Sequence, residues 1–185
     1  MTVLYFSSTG NCLYVAKRIG GDKMSIPICI EENVREIEDN EIGIVFPIYG
    51  LCIPPFIEDF IKNISVDCEY FFAIATYGFF PGAVCGQLKE ISTKNHMNNY
   101  EFPTGVGITA DVSINDNCVG CKTCEKVCPM NNISIVDKKP SFDKNCVSCG
   151  ACIQNCPKNA LHHIREKSEA RYRNPHIELE ELFIS

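Results

Sequence analysis

The sequence predicts an α/β protein: a doubly wound parallel sheet followed by a small α+β domain. In the first 110 residues, short apolar runs alternate with stretches of helical spacing, as expected for strands and helices of a parallel sheet. After that point cysteines become dense, and eight of the chain's 13 lie between Cys118 and Cys156. We therefore expect domains at residues 1–110 and 111–162, and a C-terminal tail at 163–185 with a short helix.

Three apolar runs in the first domain predict strands that are buried on both faces, at residues 3–6, 42–46 and 70–75. A final strand is expected near residues 100–108. Three stretches with apolar residues at helical spacing lie among these strands, at residues 11–20, 54–61 and 81–91. The first should end at Gly20 and Gly21, and the second should begin at Pro54 and Pro55, because glycine favours helix ends and proline favours first turns.

The cysteine-rich region is an internal repeat. Residues 118–131 align with residues 146–159, with identity at seven of the 14 positions, and each copy reads C-x2-C-x2-C-x3-C-P. This is the spacing of bacterial two-cluster ferredoxins, in which the fourth cysteine of each run serves the other cluster. We expect one 4Fe-4S cluster on Cys118, Cys121, Cys124 and Cys156, and a second on Cys146, Cys149, Cys152 and Cys128.

Zinc is the alternative metal that such a set of cysteines could bind. Zinc sites typically use two C-x2-C pairs separated by a dozen or more residues, and a third cysteine within seven residues is surplus for a tetrahedral ion. The spacing therefore favours iron and sulfide. Between the two copies, residues 133–136 predict a short strand that is followed by a turn.

A glycine-containing turn follows the first predicted strand and reads F-S-S-T-G-N-C at residues 6–12. Backbone N–H groups at the start of a helix, together with serine and threonine hydroxyls, suit a phosphate group. The chain has neither G-x-x-x-x-G-K-[ST] nor G-x-G-x-x-G, which disfavours nucleoside triphosphates and dinucleotides. The turn predicts a monophosphate site, with a simple helix cap at residues 8–11 as the alternative.

The S-S-T-G-N-C segment resembles the FMN phosphate loop of flavodoxins, and F-P-I-Y-G at 46–50 and A-T-Y-G-F at 75–79 resemble the loops around the flavin ring. With the cysteine repeat and the tail motif R-Y-R-N-P at 171–175, the whole chain resembles the flavodoxin-ferredoxin fusion proteins of anaerobic microbes. The resemblance implies a flavodoxin-like fold, shortened because the cysteine repeat begins where the family's last helix should stand.

The resemblance also implies which residues hold FMN. The phosphate would be bound by Ser7, Ser8, Thr9, Gly10, Asn11 and Cys12. One side of the ring would be covered by Pro47, Ile48, Tyr49 and Gly50, and the other by Thr76, Tyr77, Gly78, Phe79 and Gly82. Tyr49 is the preferred stacking residue, since an aromatic side chain adds ring contact. The alternative for Tyr49 and Phe79 is ordinary packing.

These features predict an electron carrier that couples an FMN to two 4Fe-4S clusters in anaerobic, low-potential metabolism. A flavin accepts two electrons and each cluster accepts one, which explains why the two are joined. No acid–base constellation stands out, so the sequence favours a carrier without catalytic residues over an enzyme. One alternative is an FMN-dependent reductase of a small acceptor such as a quinone or nitro compound. The other is a ferredoxin whose flavin-free, flavodoxin-like scaffold serves docking or redox sensing.

Charge and hydropathy restrict the partners and the location. The net charge is −6 without a basic stripe, so nucleic acid and anionic membranes are not expected partners. No apolar run approaches the ~20 residues of a membrane span, and no export signal is present, which predicts a cytoplasmic protein. Redox proteins are the expected partners, with a small-molecule acceptor as the alternative.

The remaining candidates have simpler explanations. Cys29, Cys52, Cys68 and Cys85 are expected to be small buried hydrophobic residues, and the neighbouring His162 and His163 are expected to be solvated rather than metal ligands.

The C-terminal segment should form a helix capped by Asn174, with Pro175 at its first position. We expect this segment to return to the first domain and cover the face that the missing helix leaves bare. The cluster domain or a second copy of the chain, which would make a homodimer, are the alternatives.

Overall fold

The computed structural model describes residues 1–78, 82–93, 112–164 and 166–184. The described residues form two compact units. The first unit contains residues 1–7 and the described residues between 12 and 93, and the second contains residues 8–11 together with those from 112 on. The final strand expected near 100–108 lies outside the described residues, and so does Phe79.

In the first unit strands and helices alternate along the chain. The strands are β1 (Thr2–Tyr5), β2 (Asp22–Ser25), β3 (Glu36–Glu38), β4 (Glu41–Pro47), β5 (Ser65–Asp67) and β6 (Tyr70–Thr76). The helices are α1 (Asn11–Ile19), α2 (Ile26–Glu31), α3 (Pro55–Asn63) and α4 (Val84–Thr93). Four strands make a parallel sheet in the order β2-β1-β4-β6, and β3 pairs with β5, also in parallel. The predicted α/β class with a parallel sheet is confirmed.

Strand β4 lies at the centre of this sheet and confirms the expected burial. Its residues from Ile42 to Phe46 are buried, as an apolar strand between two neighbours should be. Strand β6 corrects the prediction of burial on both faces, because none of its residues is fully buried and it lies at the end of the strand order in the described sheet. Tyr70 is 60% exposed and Phe71 is 39% exposed. These two residues start the strand, and Tyr70 lies in register with the exposed Glu41 at the outer end of β4.

The predicted helices form close to the expected positions. Helix α1 buries Leu13 and Ala16 and ends before Gly20 and Gly21, whose positive φ angles of +96° and +70° stop the helix. Helix α3 begins at Pro55, as its sequence indicates. Apolar faces of α1 and the sheet share one core cluster of Val3, Cys12, Ala16 and Val45.

Two elements of the first unit have no clear sequence signal. Strand β2 reads D-K-M-S and its first two residues are exposed, so it lacks the apolar alternation that identifies a strand. It forms because it pairs with β1 at the edge of the sheet. Helix α2 spans only six residues, has proline in its first turn, and follows β2 directly.

The second unit is built from short elements. They are β7 (Val112–Ile114), α5 (Thr123–Lys126), β8 (Ile133–Val136), β9 (Lys139–Phe142), α6 (Ala151–Gln154) and β10 (Leu161–His163). Strands β7 and β10 pair antiparallel, and β8 and β9 form a hairpin. Asp137 and Lys138 make the hairpin turn with φ of +49° and +63°, the conformation that two-residue hairpins favour. The strand predicted at 133–136 is confirmed.

The C-terminal segment corrects the prediction of a capped helix. Asn174 does act as a cap, since its Oδ1 accepts the His176 N–H at 3.0 Å, but only a turn follows it. A 3-10 helix then spans Leu179–Leu182. Ile177 and Leu182 are both buried, although only Leu182 lies in the 3-10 helix. Among the described residues, no helix combines the length and apolar character needed to cross a bilayer.

Candidate functional site

Two small cavities in the second unit divide the eight cysteines of the repeat between them. The first cavity is lined by Cys118, Cys121, Cys124 and Cys156. The second is lined by Cys128, Cys146, Cys149 and Cys152. Each cavity thus brings together three cysteines of one copy and the fourth cysteine of the other, which is the grouping derived above from the spacing. In the described part of the chain, no three Cys, His, Asp or Glu side chains are arranged to hold a single metal ion.

Residues in the left-handed backbone conformation turn the chain around each cavity. In the first copy Gly120 and Lys122 have φ of +66° and +67°, and in the second copy Ser148 and Gly150 have φ of +53° and +70°. These residues lie between the first three cysteines of each run, so the chain turns at every step and keeps the thiols facing inward. Gly120 is also held close to the hairpin, because a Cβ there would lie 2.8 Å from the Lys138 carbonyl oxygen.

Backbone N–H groups point at several of the sulfur atoms. The Asn132 N–H donates to Cys128 Sγ at 3.3 Å, and the Ala160 N–H donates to Cys156 Sγ at the same distance. The Ser148 N–H donates to Cys146 Sγ at 3.4 Å. Such bonds stabilise sulfur in its anionic form and tune the potential of a bound cluster. The fourth cysteine of each copy therefore receives the same bond from the residue four positions later.

The two cavities differ in their electrostatics. Burial raises the pKa of Cys124 to about 11 and that of Cys149 to about 12. For Cys121 burial also acts to raise the pKa, but hydrogen bonds involving Thr123 and the charge of Lys158 outweigh it and lower the pKa. Neighbouring thiolates raise one another's pKa, as at Cys152, where burial is the largest cause. A cationic core is what would allow all four thiols of one set to ionise together.

In the first unit, the residues expected around the flavin ring lie at the carboxyl edge of the sheet. The Ile48 N–H donates to the Thr76 carbonyl at 2.9 Å, which joins the ends of β4 and β6. Cys12 Sγ lies 3.0 Å from Thr76 Oγ1, and the Cys12 N–H donates to Ser7 Oγ at 3.1 Å. Burial raises the pKa of Cys12 to about 11, so this thiol is neutral at physiological pH. Pro47 ends β4 at the same edge.

A tight turn follows β4. Tyr49 and Cys52 exchange two backbone hydrogen bonds of 3.1 and 3.0 Å, and Gly50 and Leu51 between them have positive φ angles. Gly82 packs directly on this turn, because a Cβ there would lie 2.1 Å from the Leu51 carbonyl oxygen. The ring of Tyr49 meets Phe6 edge-on at 6.4 Å. Tyr77 and Gly78 follow β6 and are exposed.

Loop 8–11 is held by residues that come much later in the chain. The Asn155 side chain donates to the Ser8 carbonyl at 2.9 Å, and the Asn174 N–H donates to the Thr9 carbonyl at 2.7 Å. Asn11 Oδ1 accepts hydrogen bonds from the hydroxyl of Tyr172 at 2.9 Å and from Nδ2 of Asn174 at 3.0 Å. The sequence contains no local signal for these contacts.

Hydrogen-bonding capacity remains unused beside this loop. Among the described residues, the N–H groups of Thr9, Gly10 and Asn11 donate to no acceptor. Asn155 is 4% exposed, and its Oδ1 has no hydrogen-bond partner in the same set. Loop 8–11 therefore offers backbone N–H donors that are not used within the described residues. The side chain that holds the loop, that of Asn155, also has a buried oxygen without a donor in this part of the chain.

The remaining cysteines and His162 match the predicted burial and solvation only in part. Cys29 is buried, as predicted, but Cys85 is exposed, because it lies on the outer face of α4, and Cys52 and Cys68 are half-buried. His162 is not solvated as expected. Its Nδ1 lies 2.6 Å from Glu166 Oε1. This hydrogen bond is the main cause that lowers the pKa of Glu166 to about 2.

One family model matches this chain. It describes a 4Fe-4S dicluster domain and covers residues 117–161, which is 45 of 185 residues. Comparison with curated proteins and with solved structures gave no match. The matched stretch contains both cavities and all eight cysteines that line them. Residues 117–161 are a ferredoxin-like 4Fe-4S dicluster domain, a kind of domain that suggests electron transfer.

Proposed function

We propose that this protein carries electrons one at a time through two 4Fe-4S clusters and exchanges them with an FMN. The observation that carries the first part is the division of the eight repeat cysteines into two four-cysteine cavities. In this proposal Cys118, Cys121, Cys124 and Cys156 hold one cluster, and Cys128, Cys146, Cys149 and Cys152 hold the other. When bound, each cluster supplies a site that accepts and releases a single electron.

The surroundings of the cysteines fit such a group. Apolar residues complete both cavities, among them Ile135 and Leu161 in the first and Ile133 and Phe142 in the second. Cys124 and Cys128 are buried beside these apolar residues. The backbone N–H bonds to Cys128 and Cys156 favour the anionic, ligating form. Four thiolates with this lining suit an iron–sulfur cluster.

The covalent connection between the two sets is short. Cys124 lines the first cavity and Cys128 the second, although only three residues lie between them. Cys152 and Cys156 repeat this arrangement from the second copy. Helices α5 and α6, which carry Cys124 and Cys152, pack against each other. Two short segments of chain thus join the two sites, one leading from the first cavity to the second and the other leading back. This short connection supports passage of an electron from one site to the other.

Two features of the first unit support FMN as the partner of the clusters. If the short β3 and β5 are left aside, the sheet order is 2-1-3-4, the order of the first four strands of a flavodoxin-like sheet. Ligands of such sheets bind at the carboxyl edge, where Thr76, Ile48 and Cys12 come together. The residues at this edge fit the expected ring-binding role.

Loop 8–11 fits the phosphate of FMN by its own geometry. Its N–H groups at Thr9, Gly10 and Asn11 are without acceptors among the described residues, and they precede or begin helix α1, where the helix dipole favours an anion. When bound, FMN supplies two-electron chemistry that the clusters lack.

Chemical analysis of the protein purified and reconstituted without oxygen tests the whole proposal. We expect about eight iron and eight acid-labile sulfide per chain, one FMN, and flavin absorption bands above the broad iron–sulfur absorption. Zinc in place of iron, or iron near four, would contradict the two-cluster assignment. Iron near eight without flavin after incubation with FMN would contradict the FMN part alone.

A single substitution tests the phosphate loop. Thr9→Val keeps the shape of the side chain and removes a hydroxyl that has no partner among the described residues. Loss of a hydrogen bond to a charged phosphate should weaken FMN binding by about 1.5–3 kcal/mol. Fluorescence titration measures this loss, with adenine dinucleotides as the comparison ligands. Unchanged FMN affinity, or equally tight dinucleotide binding, would argue against this site.

A further inference from the structure

We propose that Tyr172 and Asn174, in the C-terminal segment, are positioning residues for the FMN phosphate: they hold loop 8–11 in its binding conformation. This inference rests on the proposed binding of FMN and goes beyond it, because neither residue lies in the loop that the phosphate would contact.

The two residues hold the loop by three hydrogen bonds. The Tyr172 hydroxyl and Asn174 Nδ2 both donate to Asn11 Oδ1, at 2.9 and 3.0 Å. The backbone N–H of Asn174 donates to the Thr9 carbonyl at 2.7 Å. The segment is itself anchored, because the Tyr172 N–H donates to Gln154 Oε1 at 2.8 Å, and Arg171 donates to the Leu161 carbonyl at 2.9 Å.

All of these bonds use acceptors of the loop and none uses its donors. The carbonyl oxygens of Ser8 and Thr9 and the side-chain oxygen of Asn11 are taken, whereas the N–H groups of residues 9–11 have no acceptor among the described residues. An anion is bound by N–H groups, so the C-terminal segment leaves the binding groups available. A segment that blocked the site would satisfy these donors instead.

Gly10 lets the segment approach this closely. A Cβ on Gly10 would lie 3.0 Å from Cβ of Ile177 and 3.1 Å from Cβ of Asn174. Its φ of +89° is a conformation that other residues rarely adopt. The loop backbone therefore rests directly on the segment, and its N–H groups are pre-oriented before any ligand binds. Pre-organisation of this kind strengthens binding by reducing the ordering needed on association.

Binding of FMN and of riboflavin, which lacks the phosphate, to full-length reconstituted protein tests this role. The variants are Tyr172→Phe, which removes one donor to Asn11 without adding charge, and Asn174→Asp, which removes the other donor but adds a negative charge beside the loop. Tyr172→Phe is therefore the decisive variant. We expect each to weaken FMN binding about tenfold, as the loss of one supporting hydrogen bond would do, and to leave riboflavin binding unchanged. Iron and sulfide contents should stay at the wild-type level, which shows that the second unit remains folded.

Matched controls are Tyr70→Phe, at an exposed tyrosine of β6, and Asn63→Asp, at the exposed end of α3. Both should bind FMN as the wild type does. The inference is overturned if Tyr172→Phe and Asn174→Asp bind FMN normally, if they weaken FMN and riboflavin equally, or if they bind FMN more tightly. If the wild type binds riboflavin and FMN equally weakly, the proposed FMN site fails and this inference fails with it.

Discussion

The two copies of the cysteine repeat have nearly the same backbone and different surroundings. Positions 28 residues apart share unusual conformations, as at Gly120 and Ser148, and Asn131 and Asn159 both have φ of +47°. The fourth cysteine of each copy accepts an N–H bond of 3.3 Å. The duplication thus preserved the geometry that surrounds the sulfur atoms, even where the residue type changed.

The copies differ in polarity at several buried positions, and the pair Val127 and Asn155 shows what such a difference can do. Val127 is 3% exposed in the first copy, whereas the equivalent Asn155 is 4% exposed in the second. Val127 is apolar and its burial needs no partner. Asn155 is polar, and it reaches the Ser8 carbonyl, 147 positions earlier in the chain, as well as the Ala151 carbonyl. Identical geometry therefore does not give identical roles: the second copy alone holds loop 8–11 in this way.

The largest expected effect is the loss of one cluster when the fourth cysteine of either copy is replaced. Cys128→Ala should abolish the cluster of Cys146, Cys149 and Cys152, while Cys156→Ala should abolish the cluster of Cys118, Cys121 and Cys124. Each variant should retain about four iron and four sulfide. Electron paramagnetic resonance of the reduced proteins, compared with that of Cys121→Ala and Cys149→Ala, identifies which cluster is lost. The reverse pattern would overturn the crossed ligand sets.

Exchanging the inward residue between the copies should destabilise the protein in both directions. Val127→Asn buries an amide without a designed partner and should lower the free energy of unfolding by about 2–4 kcal/mol. Asn155→Val leaves the buried Ser8 carbonyl without its bond and should lower it by about 1–3 kcal/mol. Anaerobic urea denaturation measures both values. A Val127→Asn variant as stable as the wild type would mean that the first copy also offers hydrogen-bond partners to a buried amide at position 127.

Gly10→Ala tests how closely the C-terminal segment rests on loop 8–11. The positive φ and the tight approach of Ile177 and Asn174 should together lower the free energy of unfolding by about 1–2 kcal/mol. Gly86→Ala is the matched control, because Gly86 lies within α4 and an added Cβ would meet nothing within 4 Å. That control should be neutral or slightly stabilising. Equal thermal midpoints for the two variants would contradict close packing at Gly10.

The smallest effect concerns the charge that distinguishes the two cavities. Lys158 in the second copy corresponds to Met130 in the first, and its charge acts on Cys121 in the first cavity. Lys158→Met should lower the potential of that cluster by roughly 10–30 mV, since a nearby positive charge favours the reduced, more negative state. Lys167→Met, at an exposed position, is the control. Redox titration followed by electron paramagnetic resonance measures the two potentials. An equal shift in the potentials of both clusters would contradict the prediction.

Local sequence was sufficient for much of the fold. Apolar runs identified β1, β4 and β6, and helical spacing with glycine or proline at the ends identified α1 and α3. These signals are local, because a buried strand or an amphipathic helix must repeat its apolar residues at the period of its own backbone. The covalent spacing of the cysteines likewise predicted the two sets that line the cavities, since the reach of a short curled loop is set by the number of residues in it.

Tertiary structure decided what no local period encodes. Strand β2 is polar and exists through its pairing with β1. The C-terminal segment has cap signals, yet it forms a turn and a 3-10 helix in which Leu182 is buried. The bonds from Tyr172 and Asn174 to Asn11 join residues 161 and 163 positions apart. Their stabilisation depends on distances in the folded chain, so the sequence alone could identify loop 8–11 but not the residues that hold it.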